Sequence, residues 1–241
     1  MVTINQVSDL DELTTTAAQN FADAVKEIQT SDDGGVNRDG IAHVVLTGGT
    51  AGIATLEKLA SIEGIDWSKV HVYFGDERNV PVEHPDSNEG QARDALLNKV
   101  DIPADRIHGY GLGDTDMESS AREYEQVITT TSPQGFDIHL LGMGHEGHIN
   151  SLFPHTDAVR ETERLVIAVT DSPKPPPERT TLTLPAVARA ERVWFLISGK
   201  DKAEAAGHVT RRSPADDWPA AGAQGRQETV LFVAENAAAH L

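Results

Sequence analysis

The chain has no cysteine among its 241 residues. That excludes a disulfide framework, a cysteine nucleophile and any thiolate-bound metal. No stretch approaches ~18 uninterrupted apolar residues, so no membrane span is expected. The start, MVTINQVSDLDEL, has neither a basic n-region nor an apolar h-region, so no signal peptide is expected and the chain reads as cytoplasmic. Internal repeats and low-complexity blocks are missing too. Positive charge is scarce: 20 Lys and Arg stand against 38 Asp and Glu, a formal net charge of -18. A field of that sign repels nucleic acid and anionic lipid, so neither is expected as a partner. It also makes each basic residue worth following, because an anionic substrate would need the few cations gathered at one place.

What remains is ordinary globular material. The apolar fraction is 39%, with 20 glycines besides, enough to bury a sizeable core. One α/β domain over residues 1–241 is expected, as a monomer. Apolar residues fall at helical spacing over 9–29, with Ser8 or Asp9 as the N-cap. Helices are also expected at 50–62, 87–98 (capped by Asp86 or Ser87), 117–130 and 200–210. Short apolar runs at 41–47, 70–75, 136–142, 164–170, 192–198 and 228–234 read as strands. Surface loops are expected at 31–40, 109–116, 171–178 and 211–227. Strands alternating with helices point to a mostly parallel sheet with helices on both faces. In such sheets ligands sit beyond the carboxyl ends of the strands.

Each strand end is therefore a candidate place for a ligand. After the first comes Thr47-Gly48-Gly49-Thr50, a glycine turn that lets a ligand approach backbone N–H groups at a helix N-terminus. It matches neither a Walker loop nor GxGxxG. After the second comes GDERNVP: Asp76 and Glu77 are candidates to position a polyol or a water, and Arg78 is a planar donor suited to phosphate. Ser87 and Asn88 farther on read as helix caps. After the third comes GMGHEGHINSLFPHT, with three glycines, three histidines and one acid within fifteen residues. His148 is a candidate general base and Glu146 its carboxylate neighbour. N–H groups of the Gly142–Gly147 turn are candidate oxyanion donors. His145 and His148 lack the HExxH spacing, so a metal site is not expected, though metal-dependent hydrolysis stays an alternative. His139, inside a strand, reads as structural. After the fourth comes DSPKPPPERTT, whose prolines hold Lys174 and Arg179 on an extended segment as candidate anion clamps. After the fifth, Lys200 and Lys202 oppose the dipole of the helix they begin, a conflict that a bound anion would offset.

Together, LTGGT, FGDERNVP…DSNEGQARDALL, FDIHLLGMGHEGHINSLFP, PERTTLTLP and ISGKDKAEA resemble the 6-phosphogluconolactonase family, which shares a Rossmann-like fold with the glucosamine-6-phosphate deaminases. The resemblance implies hydrolysis of the phosphosugar lactone 6-phospho-D-glucono-1,5-lactone to 6-phosphogluconate, in the oxidative pentose phosphate pathway, without metal or organic cofactor. It places the general base on His148 and its acidic partner on Glu146. Phosphate-contacting positions fall on Arg78, Arg179 and Lys202, and the lining turn on Gly48 and Gly49. Two positions depart from the family pattern: Glu146 stands where Asp is usual, and GGTAG where GGS followed by Thr or Pro is usual, with Thr50 keeping a hydroxyl. Deaminase chemistry and a non-catalytic sugar-phosphate regulator remain the competing readings. The first reading demands that Arg78, Arg179 and Lys202 share one cavity with His148.

Overall fold

The apolar runs at 41–47, 70–75, 136–142, 192–198 and 228–234 all enter one sheet. The computed structural model describes residues 2–113 and 115–241; Met1, and Asp114 of the expected 109–116 loop, lie outside the described residues. The strands of this sheet are β1 (Val2–Val7), β2 (Ala42–Leu46), β3 (Val70–Phe74), β5 (Ile138–Leu141), β8 (Arg192–Ile197) and β9 (Glu228–Ala234). They run in the order β1-β9-β8-β5-β2-β3, and every pairing is parallel. All residues of β2 and β5 are buried, so both faces of the sheet are covered, as their continuous apolar sequences require. His139 sits inside β5, fully buried with neither ring nitrogen hydrogen-bonded, and burial pushes its pKa down to about 3. It is a neutral core residue.

The helices are α1 (Leu10–Gln29), α2 (Gly49–Leu59), α3 (Asn88–Ala95), α4 (Met117–Thr131), α5 (Asp157–Arg160), α6 (Leu184–Val187) and α7 (Ala203–Arg211). Asp9 caps α1 by accepting from the Glu12 N–H, while Leu13, Ala17, Phe21, Val25 and Ile28 bury its apolar face. Ser87, rather than Asp86, caps α3.

Three features differ from the sequence expectation. β1 is an additional edge strand. Half-exposed, it carries no continuous apolar run to announce it. The 164–170 run forms β6 (Val166–Val169), which does not join the parallel sheet. It lies in a separate antiparallel sheet, β4-β7-β6, with β4 (Asp76–Arg78) and β7 (Arg179–Leu182). β4 and β7 read as loop and extended connection because charged, short strands give no hydrophobic signal.

The strand order fixes where a site can form. From β2 the chain moves outward to β3, then returns to β5 on the other side of β2. The carboxyl ends of β2 and β5 therefore flank a topological switch point, where a crevice opens. There Gly142 donates its N–H to Thr47 Oγ1 at 3.1 Å, joining the two strand ends.

Candidate active site

A cleft with about 620 Å³ of empty space opens at this switch point. Its lining includes Gly48, Gly49, Thr50, Asp76, Arg78, His148, Arg179 and Lys202. The three cations that the resemblance assigned to phosphate thus share one cavity with Asp76, the glycine turn and the candidate base. Glu146 stands behind His148 rather than on the lining.

The second sheet brings the two arginines together. Arg78 on β4 is directly opposite Arg179 on β7 in the antiparallel register. Like charges in that position repel. Both cations are held by short-range partners. Arg78 donates to Asn88 Oδ1, and the Asn88 amide donates in turn to Asp76 Oδ1 at 2.9 Å. Arg179, only 4% exposed, donates to the carbonyls of Pro176 at 3.0 Å and Lys174 at 3.1 Å, with Asp76 Oδ2 at 3.8 Å. Burial holds the Arg179 and Lys202 pKa values below their usual range. Cations desolvated to this degree and incompletely paired favour an arriving anion.

The glycine turn after β5 presents the imidazole. Gly144 accepts the Gly147 N–H and donates its own to the His148 carbonyl, closing the turn. A Cβ at position 144 would collide with Nδ1 and Cε1 of His148 and with Glu146 Oε2. Only glycine lets the ring lie against the turn. The ring stacks on Phe153, centroids 4.6 Å apart. Its Nδ1 lies 3.1 Å from Glu146 Oε2, which makes no hydrogen bond, and 3.3 Å from Lys174 Nζ. Nε2 is left for the cleft. Burial, then the nearby Lys174 ammonium, lowers the His148 pKa against the opposing pull of Glu146, so the ring is neutral at neutral pH. Burial pushes the Glu146 carboxyl up, but its own N–H, His148 and Lys174 outweigh this and draw it down to about 2.

Several expectations need correction. Glu77 points away from the cleft, accepting from the N–H groups of Arg78, Asn88 and Glu89 and from Ser87 Oγ. It ties β4 to the start of α3. Asn88 is no mere cap, because its side chain bridges Arg78 and Asp76 on the cleft wall. Lys174 is absent from the cleft lining and turns to Glu146 instead. The N–H groups of Gly142, Gly144 and Gly147 are already bonded, so these three do not serve as oxyanion donors. Lys200 is exposed and does not line the cleft. His145 is exposed, lies 3.3 Å from the same Glu146 Oε2, and does not line the cleft. Asn150 is also on the wall, and nothing in its sequence setting separates it from its neighbours.

Among the described residues, the group of acids and histidines close enough to share a cation is His155, Asp216 and Asp217. It includes neither His145 nor His148, and Asp216 already accepts two hydrogen bonds from Arg160. The 211–227 segment backs the turn that carries His148. Ala220 donates to the Gly147 carbonyl at 2.8 Å, and Trp218, stacked on His208 at 3.9 Å, packs against Gly147.

Comparison with known proteins places these features in a family. The family model described as glucosamine-6-phosphate isomerases/6-phosphogluconolactonase matches residues 8–232. The chain is 50% identical over 212 residues to a 6-phosphogluconolactonase of Mycobacterium tuberculosis, covering 84% of this chain and 86% of that one. It is 43% identical over 216 residues to a 6-phosphogluconolactonase of Streptomyces coelicolor, covering 84% and 83%. The crystal structure of the 6-phosphogluconolactonase of Thermotoga maritima superposes with a TM-score of 0.86 at 26% identity, covering 98% of this chain and all of that one.

Proposed function

The chain belongs to the glucosamine-6-phosphate isomerase/6-phosphogluconolactonase family, and from that premise we infer that it hydrolyses 6-phospho-D-glucono-1,5-lactone to 6-phosphogluconate, the lactone-opening step of the oxidative pentose phosphate pathway. The whole chain acts as one α/β unit. The observation that carries the reading is the shared cleft: Arg78, Arg179 and Lys202, from three distant segments, surround the space that His148 faces.

In this reading the arginines and Lys202 grip the phosphate, and the Gly48-Gly49-Thr50 turn and Asp76 line the sugar. Gly48 is the N-cap of α2 and supplies no side-chain cap, so the first N–H groups of that helix stay free for an anionic or hydroxyl oxygen. Neutral His148 removes a proton through Nε2 from a water attacking the lactone carbonyl carbon. Glu146 steadies the imidazolium that forms. The tetrahedral oxyanion collapses, the bond from carbon to ring oxygen breaks, and the imidazolium returns its proton to that oxygen. Phosphate binding supplies positioning, because the reacting ester is held by a group remote from it.

Acid release from freshly generated lactone tests this, after subtraction of spontaneous opening. His148→Asn is expected to lose about 10²–10⁴-fold of the catalysed rate while still binding 6-phosphogluconate. Full activity in that variant would remove His148 from the chemistry. Ammonia release from glucosamine 6-phosphate is expected to be absent; its presence would favour the deaminase reading.

A further inference from the structure

Lys174 stands where sequence reasoning wanted an anion clamp, but its ammonium is committed elsewhere. Nζ lies 3.2 Å from Glu146 Oε1 and 3.3 Å from His148 Nδ1. It also stands 6.0 Å from the centroid of the Phe153 ring on which the imidazole stacks. The segment that carries it is tied to the cleft, since Arg179 donates to the carbonyls of Lys174 and Pro176. Nζ can only donate, so at 3.3 Å it competes with Glu146 Oε2, 3.1 Å away, for Nδ1. A proton kept on Nδ1 toward Oε2 leaves the Nε2 lone pair to the cleft, the tautomer that a base acting through Nε2 needs.

We propose that Lys174 is a positioning residue for the lactone hydrolysis: docked on Glu146 beside Nδ1 of His148, it fixes the carboxylate–imidazole pair and keeps the ring in its uncharged, proton-accepting form. The proposal rests on His148 being the base. The other charged groups around the imidazole are Glu146 on its own turn and Asp76 from β4, which favour the charged ring. Arg78, Arg179 and Lys202 share the cleft wall. A cation in contact with the ring opposes its protonation, and the same cation draws off part of the Glu146 charge. Removing it exposes the ring to the full carboxylate, so both effects drive the ring toward the charged form at a higher pH.

The test compares wild type, Lys174→Met and Lys174→Arg by two measurements: the acidic limb of the kcat/KM profile, and the imidazole titration of His148 followed by NMR. In Lys174→Met both midpoints are expected to move up by about one pH unit, with KM at pH 8 close to wild type. Lys174→Arg is expected to restore both. Midpoints that coincide with wild type in Lys174→Met would overturn the proposal. So would a raised KM with an unmoved limb, the signature of a phosphate clamp. A fully active His148→Asn would instead overturn the assignment of the base, and the NMR titration would still judge the effect of Lys174 on the ring.

Discussion

Position 146 decides how the imidazole is held. The side chain there is one methylene longer than the aspartate that the resemblance suggested. That length lets one oxygen reach His148 while the other reaches Lys174. Gly144 is the matching concession, because any side chain would occupy the space of the ring. The lowered His148 pKa places the acidic limb of kcat/KM below the usual histidine value of 6.5, and a limb at or above 6.5 would contradict the site geometry. Arg179 carries the second prediction at this scale. Its guanidinium is held by a fork of carbonyls with one edge toward the cleft. Arg179→Ala is expected to raise KM by about 10–100-fold, the loss of charge-assisted bonds to phosphate. Arg179→Lys is not expected to restore it, because an ammonium cannot span the same carbonyls. Unchanged steady-state constants in Arg179→Ala would demote the residue to a structural role.

Two short elements, β4 and β7, do more for the site than their length suggests. They put Arg78 opposite Arg179 and leave Glu77 facing α3. Glu77 is buried and accepts four hydrogen bonds. Desolvation nonetheless raises its pKa, against the pull of the Glu89, Asn88 and Arg78 N–H groups and Ser87. Glu77→Ala would strand those donors inside the protein. It is expected to destabilise the fold by about 3 kcal/mol and to loosen Asn88 and Arg78, readable by urea unfolding together with a raised KM. A variant as stable as wild type would show that water replaces the carboxylate. This is also where sequence reading falls short. A three-residue strand of sequence DER has no periodicity to detect, and the pairing of residue 78 with residue 179 depends on a fold through the intervening chain. The long buried strands and α1 were legible because their apolar spacing is the cause of their burial.

Over the whole molecule, the negative surface means that the substrate's anionic end is held by local cations rather than drawn by the overall field. At the opposite end of the strands from the cleft, near the start of β2 and β3, His43, His71, His108 and Tyr73 form a stack of rings, with His71 Nδ1 at 2.7 Å from His108 Nε2. Burial first, then the neighbouring imidazoles, pushes His71 down to about 4, and burial does the same to His108. His139 lies lower still, at about 3. In the unfolded chain these rings take up protons near pH 6.5. Between there and pH 4 the unfolded state binds more protons, so stability falls as the pH falls. Buried Glu77 and Asp137, whose pKa values are raised by desolvation, act in the opposite sense. Burial lowers His43 and His148 as well, so a net loss is expected from five imidazoles against two carboxyls, seen as a lower urea midpoint at pH 4.5 than at pH 7. Equal midpoints would mean that the ring stack takes up protons without unfolding.

The alternation of apolar runs and helices, the glycine turns and the acid-Gly-His triplet were determined by the sequence alone, since each is a local pattern whose chemistry acts over a few residues. The same patterns carried the resemblance that led to the family. Only the tertiary structure decided that 164–170 leaves the parallel sheet, that Glu77 serves α3, and that Lys174 lies against Glu146 and His148 instead of lining the cleft. These depend on which distant segments meet, and long-range pairing is set by the packing of the whole chain, which no window of sequence contains.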